Sequence, residues 1–225
     1  MGITAVPLIV INLLTFNYTR SNLSPYITSK SSRLILWIIG AKLSLPDKID
    51  YPLKQTVYTF NHNSFLDILI LTSLNIPNTR FMLSEKTLNY PTLILAAISI
   101  GVFYVPQKKH EKRSEKFFKK MSKRINSNSF SVAASSEGVH DFILGIESFN
   151  HEIYKMAVDS TKNMTCLFIK VEGDDTPLDF YFDKPRIKVD IFESFDMDDW
   201  TELNLAEKID SVRNKYILKY EKEDK

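Results

Sequence analysis

Apolar and polar positions alternate along this chain in short blocks, and most blocks read clearly as strand or helix. Residues 56–60, 80–83, 102–105, 130–134, 166–171 and 186–192 are short runs rich in valine, isoleucine, phenylalanine and threonine, the pattern of buried strands. Residues 66–74, 92–99, 111–125, 149–160 and 205–220 fall between or after them and predict helices. In 111–125 the spacing of Phe117, Phe118, Met121 and Ile125 puts the apolar residues on one helical face. Strands and helices taking turns in this way predict an α/β fold, a mostly parallel sheet flanked by helices.

The first 50 residues follow another pattern. Residues 3–16 are almost wholly apolar, and residues 34–45 form a second apolar run holding only Lys42 as a charge. Neither reaches the roughly 20 residues that a spanning helix needs. No basic stretch precedes the first run, so it makes a poor signal peptide. Two readings remain open: helices packed on the domain, or an N-terminal pair of interfacial helices lying in one leaflet. A third stretch, residues 87–107, is uncharged and long enough to span, but Pro91 and Gly101 divide it into a short helix and a strand.

Composition narrows the class. The 225 residues are 44% hydrophobic and 25% charged, an ordinary globular balance that suits one domain with a small appendage. A net charge of +2 gives no argument for nucleic acid. The one cysteine, Cys166, excludes an intramolecular disulfide framework and a cysteine-rich zinc site. Charge is nevertheless uneven, because residues 108–124 hold nine lysines and arginines against Glu111 and Glu115. That run is either a solvated helix face or a surface attractive to anionic lipid or to a phosphorylated thioester carrier.

Two groups of residues carry candidate chemistry. His62 follows the strand at 56–60, and Asp67 comes five residues later. Within one helix that step would turn the two side chains roughly 140° apart. They meet if His62 lies in the turn before a helix whose first turn holds Asp67. The carboxylate then holds one imidazole nitrogen and leaves the other as a base. A purely structural reading competes, since Ser64 and Asp67 have the S-x-x-D spacing of a capping box. The two are compatible, because a carboxylate has two oxygens. Metal ligation matches no familiar spacing. The second group, Ser135-Ser136-Glu137-Gly138, directly follows the strand at 130–134, where an α/β sheet places its sites. Taken alone, it is also an ordinary surface turn.

Together these residues resemble the glycerolipid acyltransferase family, which includes acylglycerol-phosphate and lysophospholipid acyltransferases. Asn61-His62-Asn63-Ser64-Phe65-Leu66-Asp67 is similar to the family's first block, N-H-x-S-x-x-D. Pro91 with Gly101 to Val105 resembles the second block, Glu137-Gly138 the third, and 166–171 a late strand. The resemblance implies that residues 51–225 form the acyltransferase domain and residues 1–50 an apolar helical segment for membrane association. It implies an O-acyltransferase in which His62 is the general base and Asp67 orients it. Its acyl chain comes from acyl-CoA or acyl carrier protein and goes to a glycerolipid or lysophospholipid hydroxyl. No metal, no cofactor and no covalent enzyme intermediate are implied, and the expected site is monotopic on the cytoplasmic face. Asn61, Ser64, Gln107, Glu137, Gly138 and His140 are the expected substrate contacts. Gln107 and His140 stand where the family usually has arginines associated with the acceptor's phosphate, and neither offers a charged bidentate fork. That departure keeps two alternatives in view: a non-glycerolipid acceptor such as an ornithine or sugar lipid, or a non-catalytic lipid-binding relative.

Overall fold

The computed structural model describes residues 7, 23–45, 55–62, 66–89, 94, 97–98, 100–107, 110–128, 130–138, 145–160, 163–172 and 184–223. Its seven strands are β1 (Lys42–Ser44), β2 (Thr56–Phe60), β3 (Thr79–Ser84), β4 (Phe103–Val105), β5 (Ser131–Ser135), β6 (Asn163–Glu172) and β7 (Arg186–Phe195). Its helices are α1 (Leu23–Ile38), α2 (Asp67–Ser73), α3 (Glu111–Asn126), α4 (His151–Asp159) and α5 (Leu205–Glu223), with a 3-10 turn at Glu85–Asn89. The strands form one sheet in the order β1-β7-β6-β2-β5-β3-β4. β6, β2, β5, β3 and β4 are mutually parallel; β7 runs antiparallel to β6, and β1 parallel to β7. The mostly parallel α/β sheet flanked by helices is therefore the observed fold. Much of the helix expected at 92–99 and the apolar run at 3–16 lie outside the described residues.

Two apolar layers sandwich the sheet. Val57, Ala134, Cys166 and Phe168 pack with Phe118 and Ile125 of α3, Tyr154 of α4 and Tyr216 of α5. On the opposite face Tyr58, Phe60, Ala133 and Ile169 pack with Leu36 of α1 and Ile70 and Leu71 of α2. β2 is buried along its whole length, which explains its unbroken run of bulky residues.

The apolar run at 34–45 is not one helix. α1 ends at Ile38, and Gly40 takes a φ of 77° that a side chain would resist. Gly40 N–H donates to the Trp37 carbonyl at 2.9 Å and Ala41 N–H to the Leu36 carbonyl at 2.8 Å, the paired bonds of a Schellman stop. The remaining residues then join the sheet as β1. α1 is also turned inside out. Its polar Thr28, Ser29 and Ser32 are buried with Leu36, while Tyr26, Leu34, Trp37 and Ile38 are exposed, Trp37 by 74%. Short polar contacts hold the buried side: Ser29 Oγ donates to the Ser73 carbonyl at 2.9 Å, and the Ser32 and Thr72 hydroxyls meet at 2.7 Å. Because β1 runs opposite to β2, the end of α1 that carries Leu34, Trp37 and Ile38 lies at the edge where β2 and β5 finish.

Candidate active site

β2 and β5 end side by side, with Phe60 opposite Ser135, and β6 flanks β2 with Leu167 opposite Phe60. The segments leaving β2 and β5 therefore meet at one edge. Asn61 is completely buried, and its side chain continues the β2–β6 ladder past the last strand residue. Its Nδ2 donates to the Ile169 carbonyl at 2.7 Å, and its Oδ1 accepts from Ile169 N–H at 2.8 Å. This amide, expected to touch substrate, is occupied inside the protein and fixes where the chain turns out of the sheet. His62 comes next.

The imidazole of His62 is half-buried, and its Nδ1 lies 2.5 Å from Oδ2 of Asp67, whose side chain is only 4% exposed. Asp67 is the first residue of α2, preceded by Leu66 as the N-cap, and Leu66 makes no side-chain cap. The carboxylate thus sits one position into the helix, where the positive end of the helix dipole favours it. The capping-box alternative needed Asp67 in the third helical position, and it is corrected accordingly. With Nδ1–H donated to Asp67, Nε2 is the nitrogen that can receive a proton from a hydroxyl.

Glu137 is fully buried at the same edge. Burial pushes its carboxyl up to about 7; the His62 charge opposes this, and the Glu147 and Asp67 carboxylates add to it. Around neutral pH this group can accept or donate. Burial disfavours the imidazolium of His62, but the hydrogen bond and charge of Asp67 outweigh it, with Glu137 and Glu147 on the same side, so the pKa lies above 6.5. A histidine and three carboxylates thus share one electrostatic unit. Glu147 is absent from the sequence-based expectations, because nothing in the sequence marks it among surface glutamates.

The glycine of the Glu137-Gly138 pair has a geometric reason. Gly138 has a φ of 78°, and a Cβ there would lie 2.5 Å from Nδ2 of Asn150. Asn150 is the N-cap of α4, its side chain accepting from Glu152 N–H at 3.0 Å, while its own N–H donates to the Ser136 carbonyl at 2.7 Å. Beneath the edge lies a buried polar column. Tyr154 OH donates to Ser136 Oγ at 3.3 Å, Tyr216 OH meets the Thr59 and Leu167 carbonyls at 3.1 Å each, and Cys166 Sγ lies 3.5 Å from Thr59 Oγ1. Burial holds both phenols well above their ordinary pKa, so they stay neutral supports.

Gln107 is apart from this cluster. It follows β4, three strands away from β2 and so about 14 Å across the sheet. Its N–H donates to Glu85 Oε1 at 3.1 Å, and the same carboxylate pairs with Arg113 at 3.0 Å. Ser64 and His140 lie outside the described residues. Among the described residues no group of three histidines, cysteines or carboxylates could hold a metal ion.

Residues 45–171, more than half of the chain and spanning β2 to β6, match the family model described as Acyltransferase. The chain belongs to the Acyltransferase family. A search of curated proteins finds no match. Among solved structures, the 1-acyl-sn-glycerophosphate (LPA) acyltransferase PlsC from Thermotoga maritima superposes with a TM-score of 0.69 at 13% identity, covering 98% of this chain and 96% of that one. At that identity the likeness concerns the fold, and it extends over the parts of this acyltransferase outside the matched residues, including α1, β7 and α5.

Proposed function

We propose that this acyltransferase moves an acyl chain from a thioester donor, acyl-CoA or acyl carrier protein, to the hydroxyl of a glycerolipid or lysophospholipid. The observation that carries the reading is the 2.5 Å contact between His62 and Asp67 at the end of β2, beside buried Glu137. Nε2 of His62 takes the acceptor's proton as its oxygen attacks the thioester carbonyl. The C–S bond breaks, and the imidazolium returns the proton to the leaving thiolate. Asp67 keeps Nδ1–H in place and stabilises the charge on the ring, as the acid of a catalytic triad does. Glu137 and Gly138 line the place of the acceptor, where Glu137 accepts from one of its polar groups. The relative PlsC acts on 1-acyl-sn-glycerophosphate by its own description, and a substrate of that class is the first to test here.

A specific observation favours a second acceptor class. Gln107 is neutral and about 14 Å from the His62 strand, and Glu137 and Glu147 both face His62. A phosphomonoester dianion meets two carboxylates there, whereas an esterified phosphate, a sugar or an ornithine headgroup brings less negative charge. Attachment to the membrane fits the exposed apolar end of α1, at the same edge as His62. Among the described residues no helix is long and apolar enough to cross a membrane.

The test is acyl transfer from one acyl-CoA and one acylated carrier protein to lysophosphatidic acid, zwitterionic lysolipids and an ornithine lipid precursor. His62→Ala is expected to lower the rate by about 10²–10⁴. A folded His62→Ala protein with ordinary turnover would remove the base from this scheme. A chain inactive with every donor and acceptor would favour the lipid-binding alternative.

A further inference from the structure

Positive charge is concentrated on α3, and the sheet fixes where that charge points. Phe118, Met121 and Ile125 face the sheet together with residues of α4 and α5, on the face opposite α1 and α2. The seven lysines and arginines of the helix are all exposed. Its two arginines are engaged: Arg113 pairs with Glu85 at 3.0 Å, and the Arg124 guanidinium lies over the Phe103 ring at 4.9 Å. The lysines are not. Lys112, Lys116, Lys119, Lys120 and Lys123 have no carboxylate partner among the described residues.

Lys112, Lys116, Lys119 and Lys123 follow one another at helical spacing, so they form one stripe, with Lys120 beside it and Glu111 and Glu115 to the other side. From Lys112 to Lys123 the stripe is about 17 Å long. Like charges held in a row repel, and an acidic partner relieves that repulsion. The stripe begins at the His62 edge. β4 is parallel to β3, β5 and β2, so it ends at the same edge, and α3 follows it. Glu85, which leaves β3 at this edge, anchors the first turn of α3 through Arg113 and accepts from Gln107 N–H at 3.1 Å. From there the lysines run back along the flank of the sheet.

A bilayer and an acidic protein both answer to such a surface, and placement decides between them. Leu34, Trp37 and Ile38 are exposed on α1, which packs on the opposite face of the sheet. A bilayer that receives them leaves the length of α3 turned away. A single acidic helix of a small protein matches a narrow row of ammonium groups. We propose that the lysine stripe of α3 is the docking surface for an acidic acyl carrier protein, which seats on the flank of the sheet and presents its thioester on a phosphopantetheine arm at the His62 edge. The choice of a carrier among acidic proteins rests on the acyl-transfer reading; the charge match and the placement do not.

Binding is therefore measured apart from turnover. The probe is fluorescently labelled holo acyl carrier protein, titrated with the full chain and followed by anisotropy. Lys116→Glu with Lys123→Glu should weaken binding at least about 10-fold, and a carrier with acidic surface residues changed to lysine should recover part of that loss. Lys116→Gln with Lys123→Gln, which only removes charge, should give a smaller loss in the same direction. Lys30→Glu, a reversal of an exposed charge on α1, should change binding less than about 2-fold. In the kinetic arm the double Glu variant should raise KM for an acylated carrier at least about 10-fold and leave KM for acyl-CoA within about 2-fold. Equal losses with both donors would give the stripe to the phosphates of CoA and overturn the proposal. Unchanged carrier binding overturns it too, as does a loss of sedimentation with anionic phospholipid vesicles in place of a loss of carrier binding. A chain that binds the carrier through the stripe yet transfers no acyl group supports the docking surface and counts against the acyl-transfer scheme alone.

Discussion

Replacing Asn61 with alanine should be among the most damaging single changes in the sheet, although no charge or large apolar group is lost. Both ends of its amide are bonded to the backbone of Ile169, at 2.7 and 2.8 Å, and the residue is 0% exposed. Alanine leaves the Ile169 N–H and carbonyl in place with no water to satisfy them. A buried backbone group stranded in this way costs about 1–3 kcal/mol, so the pair costs about 2–6 kcal/mol. At mid-range, about 4 kcal/mol, the melting temperature of a chain this size falls by about 8–16 °C. Asn61→Asp separates the two bonds, since it keeps an acceptor for the N–H but sets a carboxylate oxygen against the Ile169 carbonyl. That carboxyl's folded pKa is raised, so its variant is most stable below the ordinary carboxylate pKa and loses stability as pH rises through the elevated value. Urea unfolding followed by the fluorescence of buried Trp200 measures both variants. An Asn61→Ala protein within about 0.5 kcal/mol of the parent would show that the amide is no strut for the turn.

Other expectations concern the site and its surroundings. Asp67→Asn removes the group that most strongly holds the His62 proton, so the acid limb of the rate profile should move to lower pH while kcat falls; an unmoved limb would detach the ring from Asp67. Gly138→Ala puts a methyl group 2.5 Å from Asn150 Nδ2 at a φ of 78°, and should destabilise by about 1–3 kcal/mol in thermal melts; an unaltered melt would mean that the turn yields easily. Leu34→Ser with Trp37→Ser removes two exposed apolar side chains, each contributing about 1.5–3 kcal/mol when buried, and should weaken sedimentation with phospholipid vesicles at least 10-fold without changing the melt. Equal sedimentation would place the membrane contact elsewhere.

The readable and unreadable parts of this chain divide along physical lines. Strands such as 56–60 and 166–171 announce themselves because both faces of a central strand are covered and nearly every position is apolar or small, Lys170 being the exception. The His62 and Asp67 pair is legible for a related reason, since a five-residue step makes sense only across a turn between two elements. β1 is hidden inside an apolar run, because hydrophobicity does not distinguish the last turn of a helix from a short strand, and only the positive φ of Gly40 separates them. Asn61 reads as a substrate contact, because an amide that completes a strand ladder has the same sequence signature as one that binds a ligand. Tyr216 and Arg213 give no signal at all. Their partners are main-chain carbonyls far away in sequence, and a carbonyl looks the same in every residue.

Cys166 has a practical consequence. It is the chain's one cysteine, wholly buried between Thr59 and Tyr216, and burial pushes its thiol up to about 11. Thiol reagents attack the thiolate, so the folded protein should present an almost silent background to alkylation. A cysteine introduced on the surface can then carry a single fluorophore or spin label without further engineering. The native sulfur serves as an internal clock: it sits on β6 directly opposite Thr59, two residues before Asn61. Its slow modification in the folded state times the opening of the strand pair that leads into the His62 turn, separately from any fraying at the rim of the molecule.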